Sequence, residues 1–575
     1  MRTWLPVGWV VLLSLVVMLP TLGPGFVLSY DLVFTPRQDL LPAALGLGGS
    51  LPRAVPQDAV VALLEAVMPG EWLEKAVLLA IPLVTGLGML RLLRAATPGA
   101  QVVAATLAIW NPYVAERLVI GHWGLLLAYA IAPWAIASAV DMRRGVPGAG
   151  LRLILQLAVA GLTPSGSLLA VCIALPIALG PGGRATPWHR AGVACAAIAT
   201  WLPWLVPAVL HPAAASSDSA GLSVFALRAK VGGHALTALG LGGIWNAEVV
   251  PLSRTWPTGP ILAIAVLLAA AYGARPLVSA LGRAACLWWA IVAAAGLVTA
   301  LASAWLPGPW QALLAALPGG GLLRDAHKLL APLALLLAAA AGLGVARVAA
   351  RVADRATRGA IMVAAALIPI ALLPDLAWGV AGRLAPVAYP PAWAQVRDVL
   401  AGDPRPGDVV VLPWSTFRAF EWNAGRTVLD PAPRWLPRSS VVDDQLVVAT
   451  PEGLVALAGE DPRARAVTAA LDARLPLVEV LPPLGVGWVL IEEGQRPTVD
   501  RRLLEGLESV DVGAGLLLYA VPGQPAQLPE PLGAALVIAT DLALACLVVG
   551  VAAATAAGAI RRRRVRPKTG EPLVR

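Results

Sequence analysis

Charge is scarce in this chain. Asp, Glu, Lys and Arg make up 13% of its 575 residues against 58% hydrophobic residues, and the mean hydropathy is +0.75. Soluble domains carry about a quarter charged residues, so an ordinary soluble protein is excluded and the membrane class remains. Cysteine is also rare: Cys172, Cys195, Cys286 and Cys546 each fall in an apolar run. No CxxC spacing occurs, which argues against a disulfide framework, redox chemistry and a structural zinc. There is no GxxxxGK[ST], GxSxG or HExxH stretch, so neither nucleotide hydrolysis nor a self-standing catalytic signature is implied. No repeat of fixed period is present, and the one biased segment is a short basic tail.

What the chain has instead is long apolar runs. A helix needs about twenty predominantly apolar residues to cross a bilayer, and about twelve runs qualify as spans. They lie near 5–28, 72–90, 99–112, 123–140, 151–163, 167–179, 191–210, 259–273, 284–303, 329–346, 359–378 and 532–558. The fifth and sixth are short and read as two half-length spans joined at TPSGS, Thr163 to Ser167. Irregular backbone is tolerated there if protein or a cavity covers it. The first run resembles a secretory signal, but no A-x-A-like site follows it, so it reads as an uncleaved helix.

Arginine placement sets the expected orientation, because cytoplasmic loops carry the positive excess. With the N terminus inside, alternate loops hold Arg91 and Arg94; Arg143, Arg144 and Arg152; Arg184 and Arg190; Arg275 and Arg283; and Arg347, Arg351, Arg355 and Arg358. The tail RRRRVRPK then also lies inside. The net charge of +9 is therefore read as topology and headgroup contact, with no nucleic-acid partner. The expected fold is an α-helical polytopic membrane protein of the plasma membrane, with both termini cytoplasmic.

Residues 1–380 form the expected membrane domain, with about eleven spans and extracytoplasmic loops at 29–71, 211–258 and 304–328. The first loop contains DAVVALLEAVM, an amphipathic stretch suited to the membrane surface. Residues 381–530 read as a small extracytoplasmic α/β domain. GDVVVLPW and GVGWVLIEE there are short buried strands, while ARAVTAALDARL and TVDRRLLEGLE are helices. Residues 531–560 return the chain through the membrane, and 561–575 form the basic cytoplasmic tail.

Polar residues cluster on the outer side. SYDLVFTPRQDLLP, directly after the first span, holds Asp31, Arg37, Gln38 and Asp39. Asp31 could accept the proton of an attacking hydroxyl as a general base, or it could cap the next turn or pair with Arg37. Glu116, Arg117 and His122 precede the fourth span; an interfacial belt explains Trp123, while His122 is a candidate ligand contact. In GGGLLRDAHKLL the glycines permit unusual backbone angles, and Arg324, His327 and Lys328 gather donors suited to phosphate. An ordinary charged helix cap is the alternative. Arg228, Lys230, His234, Asn246, Glu248 and Arg254 add polar groups on the same side. RAFEWNAGR and DPAPRW suit either stacking on sugars or packing onto the membrane domain.

These pieces together resemble the GT-C superfamily of polytopic glycosyltransferases, in particular actinobacterial cell-envelope members related to arabinofuranosyl- and mannosyltransferases. The resemblance rests on SYDLVFTPRQ, WNPYVAERLVIGHWGLLLAYAIAPW, LTPSGS, LPWLVPAVL, GGIWNAEVVPLSR, LLRDAHK and FRAFEWNAGR, and it extends over most of the chain. It implies a polyprenyl-phosphate sugar donor in the outer leaflet, an envelope glycan or glycolipid acceptor, and an acidic base in the first outer loop. That role falls on Asp31, with Asp39 or Asp58 as substitutes. Asp31 and Asp39 do not form a compact DxD, which leaves a divalent cation open as the one cofactor to consider. Arg324, His327 and Lys328 would hold the donor phosphate. Arg37, Gln38, Asp58, Glu116, Arg117, His122, Asn246, Glu248, Arg254 and Asp325 would contact substrate. The rival readings are a lipid-linked saccharide transporter, which should show repeated halves with matching broken helices, and a non-catalytic assembly scaffold.

Overall fold

The computed structural model describes residues 4–211, 224–317, 319–450, 453–457 and 459–565. The polar opening of the expected 211–258 loop and the tail beyond 565 lie outside these residues. Among the described residues, eight helices are long and apolar enough to cross a membrane: Leu5–Leu22, Gly70–Leu92, Trp123–Arg143, Thr258–Leu281, Arg283–Trp305, Ala326–Ala349, Arg355–Leu372 and Ala534–Gly558. Pro187–Ala199 and Leu202–Leu210 make a ninth if taken as one span bent by 49°. The other three expected spans are the shorter helices Pro98–Ile109, Ala149–Ala160 and Pro164–Leu179. At 1.5 Å per residue, a helix of twelve residues covers about 18 Å, well short of a hydrocarbon core of about 30 Å. The chain is a multi-pass membrane protein.

Four of these helices start on the same local signal. Thr97, Asn111, Thr163 and Thr186 each accept a backbone N–H of the first turn, and each is followed by proline. The cap satisfies an orphan donor and proline lacks the N–H that would be orphaned. Thr163 accordingly separates Ala149–Ala160 from Pro164–Leu179, at the TPSGS break. Deeper in the bundle, a Cβ on Gly273 would lie 1.8 Å from the Ala340 carbonyl oxygen, and one on Gly344 would lie 1.8 Å from that of Ala269. Thr258–Leu281 and Ala331–Ala349 thus pack backbone against backbone, as small residues permit in membranes.

The chain leaving the first span is tied down by the next one. Gly25 N–H donates to Glu71 at 2.9 Å, and Val27 N–H donates to the buried Glu74 at 3.0 Å. DAVVALLEAVM gives the helix Gln57–Glu65, which buries Ala59, Val61 and Ala62 while Leu63 and Leu64 stay exposed.

Among the described residues, nine strands follow the membrane helices: β1 (Asp408–Leu412), β2 (Phe417–Arg418), β3 (Val428–Leu429), β4 (Ser440–Val441), β5 (Leu446–Thr450), β6 (Gly453–Leu457), β7 (Val486–Glu492), β8 (Glu508–Val510) and β9 (Leu516–Ala520). β2 pairs with β3 and β5 with β6, while the other five make a mixed sheet in the order β4-β1-β7-β9-β8. β1 runs parallel to β4 and β7; β9 is antiparallel to β7 and to β8. β7 is buried along its whole length, as its unbroken apolar run predicts. ARAVTAALDARL supplies the helix Pro462–Asp472. TVDRRLLEGLE does not form the expected helix. It gives a 3-10 turn, Arg501–Leu504, capped by Asp500, and Gly506 at φ 85° then turns the chain into β8.

Trp435 of DPAPRW and Arg418 of RAFEWNAGR pack inside the protein. Trp435 stacks on Trp393 with centroids 5.6 Å apart and meets Tyr389 edge-on at 4.5 Å. Arg418 is buried between Asp430 and Glu492.

Candidate active site

Asp31 sits in a tight turn at one end of the bundle. Ser29 and Leu32 exchange backbone hydrogen bonds, Ser29 Oγ donates to the Val119 carbonyl at 2.7 Å, and Asp31 N–H donates to Ile120 at 3.2 Å. Gly121 closes against this turn at φ 81°, where a Cβ would stand 2.1 Å from Leu32 N. From the other side, Tyr30 N–H donates to Thr427 at 2.8 Å and Leu429 N–H donates to Tyr30 at 2.9 Å. Tyr30 is held at φ 47°, a region non-glycine residues rarely adopt. Its hydroxyl bonds Glu248, whose backbone N–H is capped by Asn246 and whose carbonyl accepts from Arg383.

The Asp31 side chain remains 46% exposed, and His122 Nε2 lies 3.1 Å from its Oδ2. Arg117 Nη1 approaches His122 Nδ1 at 2.8 Å. An arginine can only donate, so His122 Nδ1 accepts and its proton resides on Nε2, facing Asp31. Burial pushes His122 below its ordinary pKa, and the charges of Lys328 and Arg117 act in the same direction against the bond to Asp31. The ring is therefore neutral near pH 7, with no lone pair left for substrate. Enclosure favours the neutral form of Asp31, but the His122 bond and the charges of Lys328 and Arg434 outweigh it and lower its pKa. Asp31 is the proton acceptor of the pair, and His122 orients it.

Arg117 is the hub. It is fully buried and forks onto Asp325 at 2.6 and 2.9 Å. Burial works against both charges, yet Arg117 holds the Asp325 carboxyl far below the usual range. Nη2 of Arg117 also reaches His327 Nδ1 at 2.8 Å, which turns His327 Nε2 toward the Leu241 carbonyl at 3.3 Å and Glu116 Oε2 at 3.4 Å. Glu116 accepts from Ile244 N–H at 3.1 Å, while its other oxygen is buried with no partner among the described residues. Burial pushes Glu116 up to about 7 against the pull of Arg254 and the Ile244 N–H.

Of the residues expected to bind phosphate, Lys328 is 25% exposed, 3.9 Å from Asp325 and close enough for its charge to act on Asp31. Arg324 lies over the Phe225 ring at 4.6 Å. His327 is buried in the network instead. Asp39 and Asp58 stand apart from Asp31: Asp39 pairs with Arg397 at 2.6 Å, Arg37 reaches it at 3.7 Å, and Asp58 pairs with Arg434 at 3.1 Å. Gln38 is buried and donates its N–H to Glu65. Among the described residues, no group of three or more His, Cys, Asp or Glu is gathered to hold a metal ion. Tyr30 and Arg434 were absent from the expected site. DPAPRW marked the neighbourhood of Arg434, whereas nothing in the sequence marks a tyrosine with positive φ.

Beside this network a shallow apolar groove is walled by Trp110, Leu262, Val266 and Leu337. Leu241, which accepts from His327, and the buried Arg254 line its polar end.

No family model matches the sequence. None of the curated proteins matches it either. Among solved structures, the cryo-EM structure of a mutant of the arabinofuranosyltransferase AftD from Mycobacteria matches with a TM-score of 0.55 at 19% identity, covering 91% of this chain. The chain spans 42% of that longer protein. The likeness is one of architecture: the two chains share a fold.

Proposed function

We propose that the chain is an integral membrane glycosyltransferase of the plasma membrane. It transfers a sugar of the arabinofuranose or mannose class from a polyprenyl-phosphate donor to an envelope glycan or glycolipid. The observation that carries this reading is the chain Asp31, His122, Arg117, Asp325, which fixes a partly exposed carboxylate within reach of the Lys328 charge. The apolar groove next to it suits a polyprenyl tail. The fold shared with an arabinofuranosyltransferase supports the same reading. By arginine placement the cleft and the sheet domain face the extracytoplasmic side.

In the reaction, Asp31 takes the proton of the acceptor hydroxyl as that oxygen attacks the anomeric carbon. The bond from that carbon to the donor phosphate breaks, and polyprenyl phosphate leaves with its electron pair. One displacement inverts the anomeric centre. Lys328 and Arg324 stabilise the charge growing on the phosphate, where preorganised donors gain most. The bound phosphate also offsets Lys328 and Arg434, and so raises the basicity of Asp31 at the moment it is needed.

The test is transfer from a synthetic polyprenyl-phosphate sugar by purified, folded variants. Asp31→Asn should lower the rate about 10²- to 10⁴-fold and Lys328→Ala about 10²-fold or more. Wild-type rates in both would overturn the assignment.

A further inference from the structure

The opposite end of the bundle carries a second built feature. Gly70–Leu92 and Trp123–Arg143 finish there beside the end of Thr258–Leu281, leaving a shallow crevice between them. Leu92, Leu93, Val140 and Leu281 form its walls, and Arg94 and Arg144 stand on its rim, both exposed. Behind the rim, the buried Asp141 receives Arg91 at 2.6 Å, Arg94 at 2.8 Å and Arg152 at 3.7 Å. Three guanidiniums converge on one carboxylate, so the cluster stays strongly positive. Arg144 adds to it, since its Nη2 donates to the Ala280 carbonyl at 2.5 Å rather than to an acid.

The position of the crevice limits what can fill it. Its walls are the ends of membrane-spanning helices, at the depth where headgroups meet acyl chains. Val278, one turn before Leu281, is 38% exposed, so an apolar side chain stands on the outer surface of the same helix next to the crevice. A ligand here needs an anionic group for the arginines and an apolar chain for the wall. Guanidinium groups bind phosphate through paired donors, and basic pockets between membrane helices suit anionic headgroups.

We propose that this crevice is a binding site for an anionic phospholipid. The phosphate lies between Arg94 and Arg144, and one acyl chain runs along Leu281 and Val278. The site is separate from the Asp31 cleft by the length of Gly70–Leu92, 23 residues or about 34 Å of helix. It does not depend on the transfer reaction or on which membrane face it occupies.

Native mass spectrometry of the full chain, released from phosphatidylcholine nanodiscs doped with phosphatidylglycerol, tests the proposal. The wild type should retain phosphatidylglycerol in preference to phosphatidylcholine. Arg94→Gln with Arg144→Gln should weaken that retention at least tenfold, while Arg190→Gln should leave it unchanged. Arg144→Gln alone keeps the test standing if the double variant fails to fold, and thermal unfolding in pure phosphatidylcholine checks the fold of each. Excess inorganic phosphate should not displace the lipid. Equal retention by wild type and both variants, equal retention of the two lipids, or displacement by free phosphate would each overturn the proposal.

Discussion

Arg117 shows how much of the site depends on one side chain. Each terminal guanidinium nitrogen gives one N–H to Asp325 and one to an imidazole, and that sets the tautomer of both. Replacing it with methionine leaves Asp325 buried without its partner, which should cost about 3–5 kcal/mol, read as a lowered Tm in detergent. Lysine keeps the charge but cannot fork, so Arg117→Lys should fold better than Arg117→Met and still lose transfer activity. Glu116 gives a prediction in pH. Its pKa is about 7 in the folded protein against an ordinary value of 4.5, so the folded state holds a proton that the unfolded chain has released. That contribution is full below pH 4.5 and is lost as pH rises through 7. Glu116→Gln cannot ionise and should therefore gain stability over the wild type above pH 7, by up to roughly 3 kcal/mol, and little at pH 4.5. Flat Tm differences across that range would contradict it. At this scale Asp31, Arg117, His122 and Asp325 were legible as polar residues in an apolar chain. Their pairing was not, because Arg117 and Asp325 lie 208 residues apart. For the same reason Asp39 and Asp58 read as substitutes for Asp31, although distant arginines hold them.

Among the elements, the turn at Ser29 to Leu32 is the most exacting. It is pressed between the loop at Gly121 and the strand segment at Val428, and neither leaves room for adjustment. Gly121→Ala sets a methyl group against Leu32 N and demands a positive φ of alanine. It should displace Asp31 and cut transfer at least tenfold while the membrane helices still insert, as circular dichroism would show. Helix starts were readable here, since Thr-Pro and Asn-Pro mark them locally. Span count was less readable. Hydropathy registers an apolar segment of twelve residues as readily as a full crossing, and only the folded bundle separates Pro98–Ile109 from Gly70–Leu92. The turn at Arg501–Leu504 was lost for another reason: its apolar spacing is helical, but Gly506 ends it before a second turn can form.

For the molecule as a whole, the orientation proposed from the arginines can be measured directly. In a cysteine-free background, a membrane-impermeant maleimide should label Arg37→Cys in intact cells and Arg144→Cys only after permeabilisation. The reverse pattern would invert the proposed topology, and with it the side on which sugar is transferred. The membrane class and the position of the sheet domain in sequence follow from composition. The way that domain locks onto the first loop does not, because no local pattern encodes contact between residues nearly 400 positions apart.

That lock has a consequence for biosynthesis. Asp31 leaves the ribosome nearly 400 residues before Thr427 and Leu429, whose backbone groups clamp its turn. At translation rates of about 5–20 residues per second, the turn waits on the order of half a minute. Every helix needed to cross the membrane before the sheet must therefore insert while the future reactive carboxylate is still unconstrained. A nascent or truncated chain ending before Thr427 would be membrane-bound and inert, so competence arrives late, as a property of the finished polypeptide.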